Sequence, residues 1–336
     1  MNRLLLTLVI LLLAAVGVEA KYWKIGPSSV TGMDFASINA AMSSSNVTKG
    51  DTLYLDQYYN EAAVQTVTKQ VVIIGTGYDT SLTDEQVVAQ LTNNLVLKSN
   101  NVVVKSVKLS GVYFYNDNCT VERCYGTFFK TFSTTAGMNR IYSSYIEGSI
   151  EGYGSGTSNY SKYDIRNNCI IRSNYCLKYI TSSIVDHNVI ISKDYTITYT
   201  DNSQLTNNII ISSSYPDEDL FYGVADSGSG NSIEHNILSR TSSLSYYPTN
   251  KIGFGSKISE LFTQTGSFSD KYKLVDNSAA KGYATDGGEV GCHGGMFGCP
   301  SGGRPQYIPY FTKVTVGSRS ENGKLPVSVT IKIQEE

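Results

Sequence analysis

The chain has 336 residues, of which 27 are basic and 29 acidic, giving a net charge of −2 at pH 7. So even a balance leaves no polybasic field, which argues against nucleic acid and anionic membrane surfaces as partners. Twenty-five tyrosines against a single tryptophan suit exposed sheet faces, and they also supply flat amphipathic surface on which sugar rings can stack.

Residues 1–20 read as a secretory signal peptide: Asn2 and Arg3, an apolar stretch from Leu4 to Val16, then Val18-Glu19-Ala20 as a small-residue cleavage site. The apolar run is shorter than the roughly 20 residues a spanning helix needs, so no transmembrane anchor is expected. The mature chain would begin at Lys21 and be exported, to the periplasm, the cell surface or the extracellular space.

Asp34 can cap a short helix with Phe35, Ile38, Ala41 and Met42 on one face. Laid across the end of a stacked-coil fold, such a helix would protect exposed core and sheet edges. Coils are expected from the strand Thr52–Leu55 onward, including the apolar run after Gln70.

Seven units then repeat between Val103 and Asn236, each an apolar residue, two variable residues and a small or amide residue. Their last members are Ser106, Cys124, Ser144, Asn168, Asn188, Asn208 and Asn236, with steps of 18, 20, 24, 20, 20 and 28. A period near 20 in β-forming composition is the pattern of a parallel β-helix. Stacked one rung apart, about 4.8 Å, the amides of Asn168, Asn188, Asn208 and Asn236 can satisfy one another as a buried ladder.

Tyr175–Ile180 and Tyr195–Thr200 follow Asn168 and Asn188 at the same distance and should be adjacent strands. With Leu177 and Ile197 inward, period two sends Cys176, Lys178, Thr196 and Thr198 outward. By looser alignment Lys130, Glu151, Tyr153 and Tyr222 join them on one outer sheet. There Lys178, Glu151 and Lys130 are the candidate catalytic residues, with a lysine as proton-abstracting base, while Tyr153 and Tyr222 are candidate sugar-stacking residues. An exposed ion-pair ladder is the structural counterpart of that reading. Asp194, Asp217 and Asp219 precede consecutive strands, and their carboxylates would suit Ca²⁺ if they converge.

Among six cysteines, Cys292 and Cys299 bracket a glycine-rich loop that lacks other staples, and are the expected disulfide. A metal site from Cys292, His293 and Cys299 matches no common zinc spacing and wants a fourth ligand. Residues 21–300 form the expected β-helix with its cap. Residues 301–336, with Val327, Val329, Ile331 and Ile333 alternating against polar neighbours, form an expected C-terminal β-hairpin packed on it.

Three stretches resemble the right-handed parallel β-helix proteins of the pectate-lyase-like superfamily, particularly exported bacterial members. They are Asp34-Phe-Ala-Ser-Ile-Asn-Ala-Ala followed by Gly50-Asp-Thr-Leu-Tyr-Leu, the asparagine repeats, and Ser278-Ala-Ala-Lys-Gly282 through Asp286 to Gly295. The resemblance implies the fold and contact with a polysaccharide, but that fold carries lyases, hydrolases, epimerases and binding proteins alike. Val185-Asp186-His187-Asn188 is similar to the Trp-Ile-Asp-His strand of pectate lyases without its tryptophan, and lies in phase with the repeat. The paired-aspartate and Gly-His-Gly motifs of polygalacturonases are absent. The expectation is therefore non-catalytic glycan binding along the outer sheet. The alternatives are a lyase or hydrolase of acidic glycans, and a structural envelope component.

Overall fold

A computed structural model describes residues 20–80, 87–132, 137–154, 161–172, 174–214, 220–222, 230–242, 248–255, 257–266, 268–299, 301–303, 310–316 and 327–332. The chain is an all-β parallel solenoid. One ten-stranded sheet stacks Tyr22–Ile25, Thr52–Leu55, Val72–Ile74, Val103–Lys105, Thr120–Glu122, Met138–Tyr142, Lys162–Arg166, Ile184–Asp186, Gln204–Thr206 and Ser232–Glu234 in that order. Coils thus begin at Tyr22, a rung before Thr52. The second sheet has 15 strands, with Gln65–Val67 at one end of its main path and Ile237–Leu238 at the other. Among the described residues no helix is long and apolar enough to cross a membrane.

The interior is built from columns of one aliphatic residue per rung. Leu53, Ile73, Val104, Val121, Ile141, Ile165, Val185, Leu205 and Ile233 are successive partners in the first sheet and have no exposed surface. Ile146, Ile170, Ile190, Ile210 and Leu238 form an equally buried column in the second. Each such side chain contributes about 1.5–3 kcal/mol relative to exposure.

Polar groups at the turns between sheets are satisfied by the same stacking. The amide oxygens of Asn168, Asn188, Asn208, Asn236 and Asn250 accept the backbone N–H of the residue one rung before, at 2.8–3.0 Å. Side-chain amides link Asn168 to Asn188, Asn188 to Asn208 and Asn208 to Asn236, each at 3.0 Å. A second polar column turns the other corner: Asn139, Ser183, Ser203 and Asn231 accept from Cys119, Tyr163, Ser183 and Ser203 N–H at 2.8–3.0 Å. The first sequence unit is corrected by one residue. Val121 pairs with Val104, so Val107, not Ser106, stands one rung before Cys124.

The helix at the N-terminal end is Ile38–Ser43, capped by Ser37, whose Oγ accepts from Ala40 N–H at 3.1 Å. Asp34 instead accepts the Lys24 N–H at 2.8 Å, outside the helix. Ile38, Ala41 and Met42 close the core. Asn39 donates to Val64 O at 2.9 Å and accepts from Thr66 N–H at 2.7 Å, standing in for the strand that the edge Gln65–Val67 lacks.

A second apolar core lies outside the solenoid. The residue after each ladder position points outward, making the column Tyr145, Cys169, Val189, Ile209 and Ile237. These side chains pack under a C-terminal arm through Leu261, Phe262, Ala280, Ala284, Val290, Cys292 and Cys299. The residue before each ladder position is left-handed: Arg123, Ser143, Asn167, His187, Asn207 and His235 have φ of 48–56°, a region where Asn and His are enriched. Its side chains hold the arm. Asn207 accepts from Thr285 N–H at 2.9 Å, Asn167 donates to Cys292 O at 3.0 Å, and Ser143 Oγ donates to Gly298 O at 2.8 Å. Gly295, at φ 68°, lies so close to His187 that a Cβ there would sit 2.8 Å from its ring.

Cys292 and Cys299, the expected disulfide pair, are not bonded to each other in the structure, in which all six cysteines are free; Cys169 joins them, its sulfur 3.2 Å from that of Cys292. Proximity in sequence could not show the third cysteine, because Cys169 comes from the solenoid wall. Tyr310–Val316 and Val327–Lys332 form an antiparallel pair. Residues 1–19, where the signal peptide is expected, and residues 317–326 lie outside the described residues.

Candidate functional site

The outer face of the second sheet carries one register-aligned row of side chains. Tyr113, Lys130, Glu151, Lys178, Thr198 and Tyr222 are successive Cα partners on adjacent strands. Their inward neighbours Val112, Phe129, Ile150, Leu177 and Ile197 are fully buried, which fixes the row's orientation through the period-two pleat. Five rungs at about 4.8 Å make it about 24 Å long.

Glu151 is the electrostatic centre of the row. Its carboxylate lies 3.3 Å from Lys130 Nζ and 3.3 Å from Arg172 Nη1, and accepts the Ser149 hydroxyl at 2.7 Å. Burial alone would raise its pKa. Ser149, Lys130 and Arg172 together outweigh burial and hold it below the ordinary glutamate range. Glu151 is thus an ionised, oriented acceptor rather than a poised acid. Lys178, its register partner, turns its ammonium to two tyrosine rings, 4.6 Å from the centroids of both Tyr175 and Tyr179.

Aromatic rings flank both ends. At the upstream end Tyr113 packs on Phe128 at 5.2 Å and edge-on to Phe132 at 4.6 Å, and Tyr115 stacks on Phe132 at 5.3 Å. With Lys130, Glu147, Glu151 and Arg172, three of these rings (Tyr113, Phe128 and Phe132) line an open groove of about 390 Å³. Downstream, Tyr175 stacks on Tyr195 at 5.5 Å and Tyr179 on Tyr199 at 5.2 Å, with Tyr222 edge-on to Tyr195 and Tyr199. Tyr179 and Tyr199 reach this face because both are left-handed, at φ 57° and 50°. The pairs Lys178↔Thr198 and Ile180↔Thr200 keep one register, so both strands make the same left-handed step in phase, which interrupts the period-two alternation at this residue.

The structure brings together Lys130, Glu151, Lys178 and Tyr222 as one row. Tyr153 follows Glu151 by two residues and is exposed, its N–H bonded to Ser161 Oγ at 2.9 Å. Of the other residues expected outward, Cys176 and Thr196 are fully buried at the corner before the strand, and Thr198, though in register with the row, has no exposed surface. Asp194 is half-buried, and its carbonyl accepts the Ser192 and Ser212 hydroxyls at 2.6 and 3.0 Å. Asp217 and Asp219 lie outside the described residues. Among the described residues no carboxylate cluster forms a cation site.

Sequence reading missed Arg172 and the ring groups of Tyr113, Phe128 and Phe132. Arg172 ends a neighbouring strand, Cys169–Arg172, and reaches Glu151 laterally, which no local spacing reveals. The tyrosine stacks were legible: Tyr175 to Tyr195 and Tyr179 to Tyr199 each step by the 20 residues of the repeat.

A scan of protein-family models and a search of curated proteins found no match to this chain.

Proposed function

We propose that this is an exported β-helix protein, a divergent member of the pectate-lyase-like superfamily, that binds a glycan chain along its outer sheet without cleaving it. The observation that carries this reading is the row Tyr113–Lys130–Glu151–Lys178–Thr198–Tyr222 with aromatic groups at both ends. Rings offer faces for the apolar side of a sugar, and an ionised carboxylate between two cations offers fixed donors and acceptors for its hydroxyls. A linear row about 24 Å long suits an extended polymer better than a monosaccharide.

The catalytic alternative draws on the two carboxylates in the groove, Glu147 and Glu151, the minimum set for glycoside hydrolysis, and on Lys178 as base for a lyase. Against it, Glu151 is tied up by Lys130 and Arg172, and Lys178 faces tyrosine rings.

The purified mature chain should be titrated calorimetrically against polyuronates and neutral glycans, while new unsaturated and reducing ends are assayed. Binding without turnover is expected. Phe132→Ala or Tyr222→Ala should weaken affinity by about two- to tenfold through lost stacking, and Tyr22→Ala, exposed on the other sheet, should not. Turnover abolished by Lys178→Ala would establish the lyase alternative. Absence of any glycan affinity would leave the structural-component reading.

A further inference from the structure

Three thiols from distant parts of the chain meet in the outer core. Cys169 begins the solenoid strand Cys169–Arg172, while Cys292 and Cys299 come from the C-terminal arm. Their sulfurs all lie within 4.8 Å of one another, with Cys169 at 3.2 Å from Cys292 and 3.9 Å from Cys299. All three are buried. Tyr78, 1% exposed, packs in the same cluster, and its hydroxyl has no hydrogen-bond partner among the described residues.

We propose that Cys169, Cys292 and Cys299 form a structural site for a thiophilic divalent cation of the Zn²⁺ class, with the unpartnered Tyr78 hydroxyl of the same core as the candidate fourth ligand. Sulfurs about 2.3 Å from one zinc lie about 3.8 Å apart in a tetrahedron, close to the spacing observed, so closure needs only side-chain adjustment. Hard cations are disfavoured, because they require oxygen ligands. A divalent ion leaves three thiolates with a single net negative charge, whereas a monovalent one would leave two in a buried site. A disulfide between any two of the cysteines would leave the third thiol and the Tyr78 hydroxyl buried beside it, whereas one cation engages the whole set. The arm is short of regular structure here, its segment 291–299 running through turns, so the ion would act as the clasp that fixes it to the solenoid.

The test uses the full mature chain, reduced and stripped of metal, titrated with Zn²⁺ against a chromogenic chelator and with Co²⁺ as a spectroscopic probe. One equivalent should bind, with intense thiolate-to-cobalt charge-transfer bands, and Zn²⁺ should raise the melting temperature. C169S, C292S and C299S should each lower the affinity by at least about tenfold, the lower bound for losing even a ligand-orienting group. C119S, at a buried cysteine outside the cluster, should bind as wild type does. If a serine variant fails to fold, the wild-type cobalt spectrum and Zn²⁺-dependent melting decide alone. No uptake by wild type, uptake unchanged in C169S, or a disulfide within the trio in protein mapped without reduction would each overturn the proposal.

Discussion

Replacing Asn188 by leucine tests whether the stacked amides hold the corner of the solenoid. Asn188 has no exposed surface. Its Oδ1 accepts from Asn168 N at 2.9 Å and from Asn168 Nδ2 at 3.0 Å, and its Nδ2 donates to Ile165 O, Asp186 O and Asn208 Oδ1 at 2.9–3.0 Å. Leucine keeps the number and branching of the side-chain heavy atoms, although it is bulkier, and removes all five bonds. Most partners retain something: Asn168 Nδ2 still reaches Ile141 O and Arg166 O, and Asn208 Oδ1 still accepts Asn188 N. The Asn168 N–H does not, so one buried donor is orphaned at about 1–3 kcal/mol, and weakened carbonyls bring the total to about 2–4 kcal/mol. At roughly 2 °C per kcal/mol for a chain of this size, the melting temperature should fall by about 4–8 °C. Urea denaturation followed by circular dichroism measures the same loss as a shifted midpoint, with Lys193→Ala at an exposed site as control. A midpoint for Asn188→Leu matching wild type would show that the column contributes nothing to stability.

Asn207 joins wall to arm through Thr285; Asn207→Ala should speed proteolysis within 276–299 several-fold while leaving the β-sheet circular dichroism signal unchanged. Burial would raise the Asp186 pKa, but His187, Thr206 and Asn207 outweigh it and lower it. A depressed carboxylate contributes stability that is complete above its unfolded pKa, about 3.9, and is lost as pH falls through the lower folded value. Stability should therefore drop below about pH 4, and less steeply in Asp186→Asn, as read from urea midpoints across pH.

The repeat was legible because burial inside a solenoid imposes the same demand on every rung. An inward aliphatic followed by an amide at the turn recurs at the step of one coil, so Ile165, Val185 and Leu205 with Asn168, Asn188 and Asn208 announce the fold. The first unit slipped by one residue because it has no amide, and Ser106 imitates the wrong register beside Val107. The arm was harder to see, since its contacts join residues more than a hundred positions apart, as Asn167 with Cys292. A signal was nevertheless present. Cys169-Ile-Ile, Val189-Ile-Ile and Ile209-Ile-Ile are continuous apolar runs rather than alternating ones, which means burial on both faces. Lys130, Glu151, Lys178 and Tyr222 could be aligned by repeat spacing, whereas the left-handed Tyr179 and Tyr199 that break the alternation could not.

The second sheet exposes two outward rows, and the chain treats them oppositely. The row Tyr145–Cys169–Val189–Ile209–Ile237 is mostly aliphatic and is sealed by the protein's own C-terminal arm. The row Tyr113–Lys130–Glu151–Lys178–Thr198–Tyr222 is aromatic and charged apart from the buried Thr198, and its other five members keep exposed surface, Tyr222 being 49% exposed. Solubility alone would favour short polar side chains on an uncovered face, and rings gathered there cost hydration without adding to the core. Lys130 and Lys178 lie against ring faces of Phe132 and the tyrosines, and Arg172 with Lys130 orients Glu151. Ordering several long side chains in this way costs conformational entropy that an unliganded surface would not recover. A pre-organised row of fixed charges and exposed rings is what lowers the cost of holding an extended, hydroxyl-rich chain.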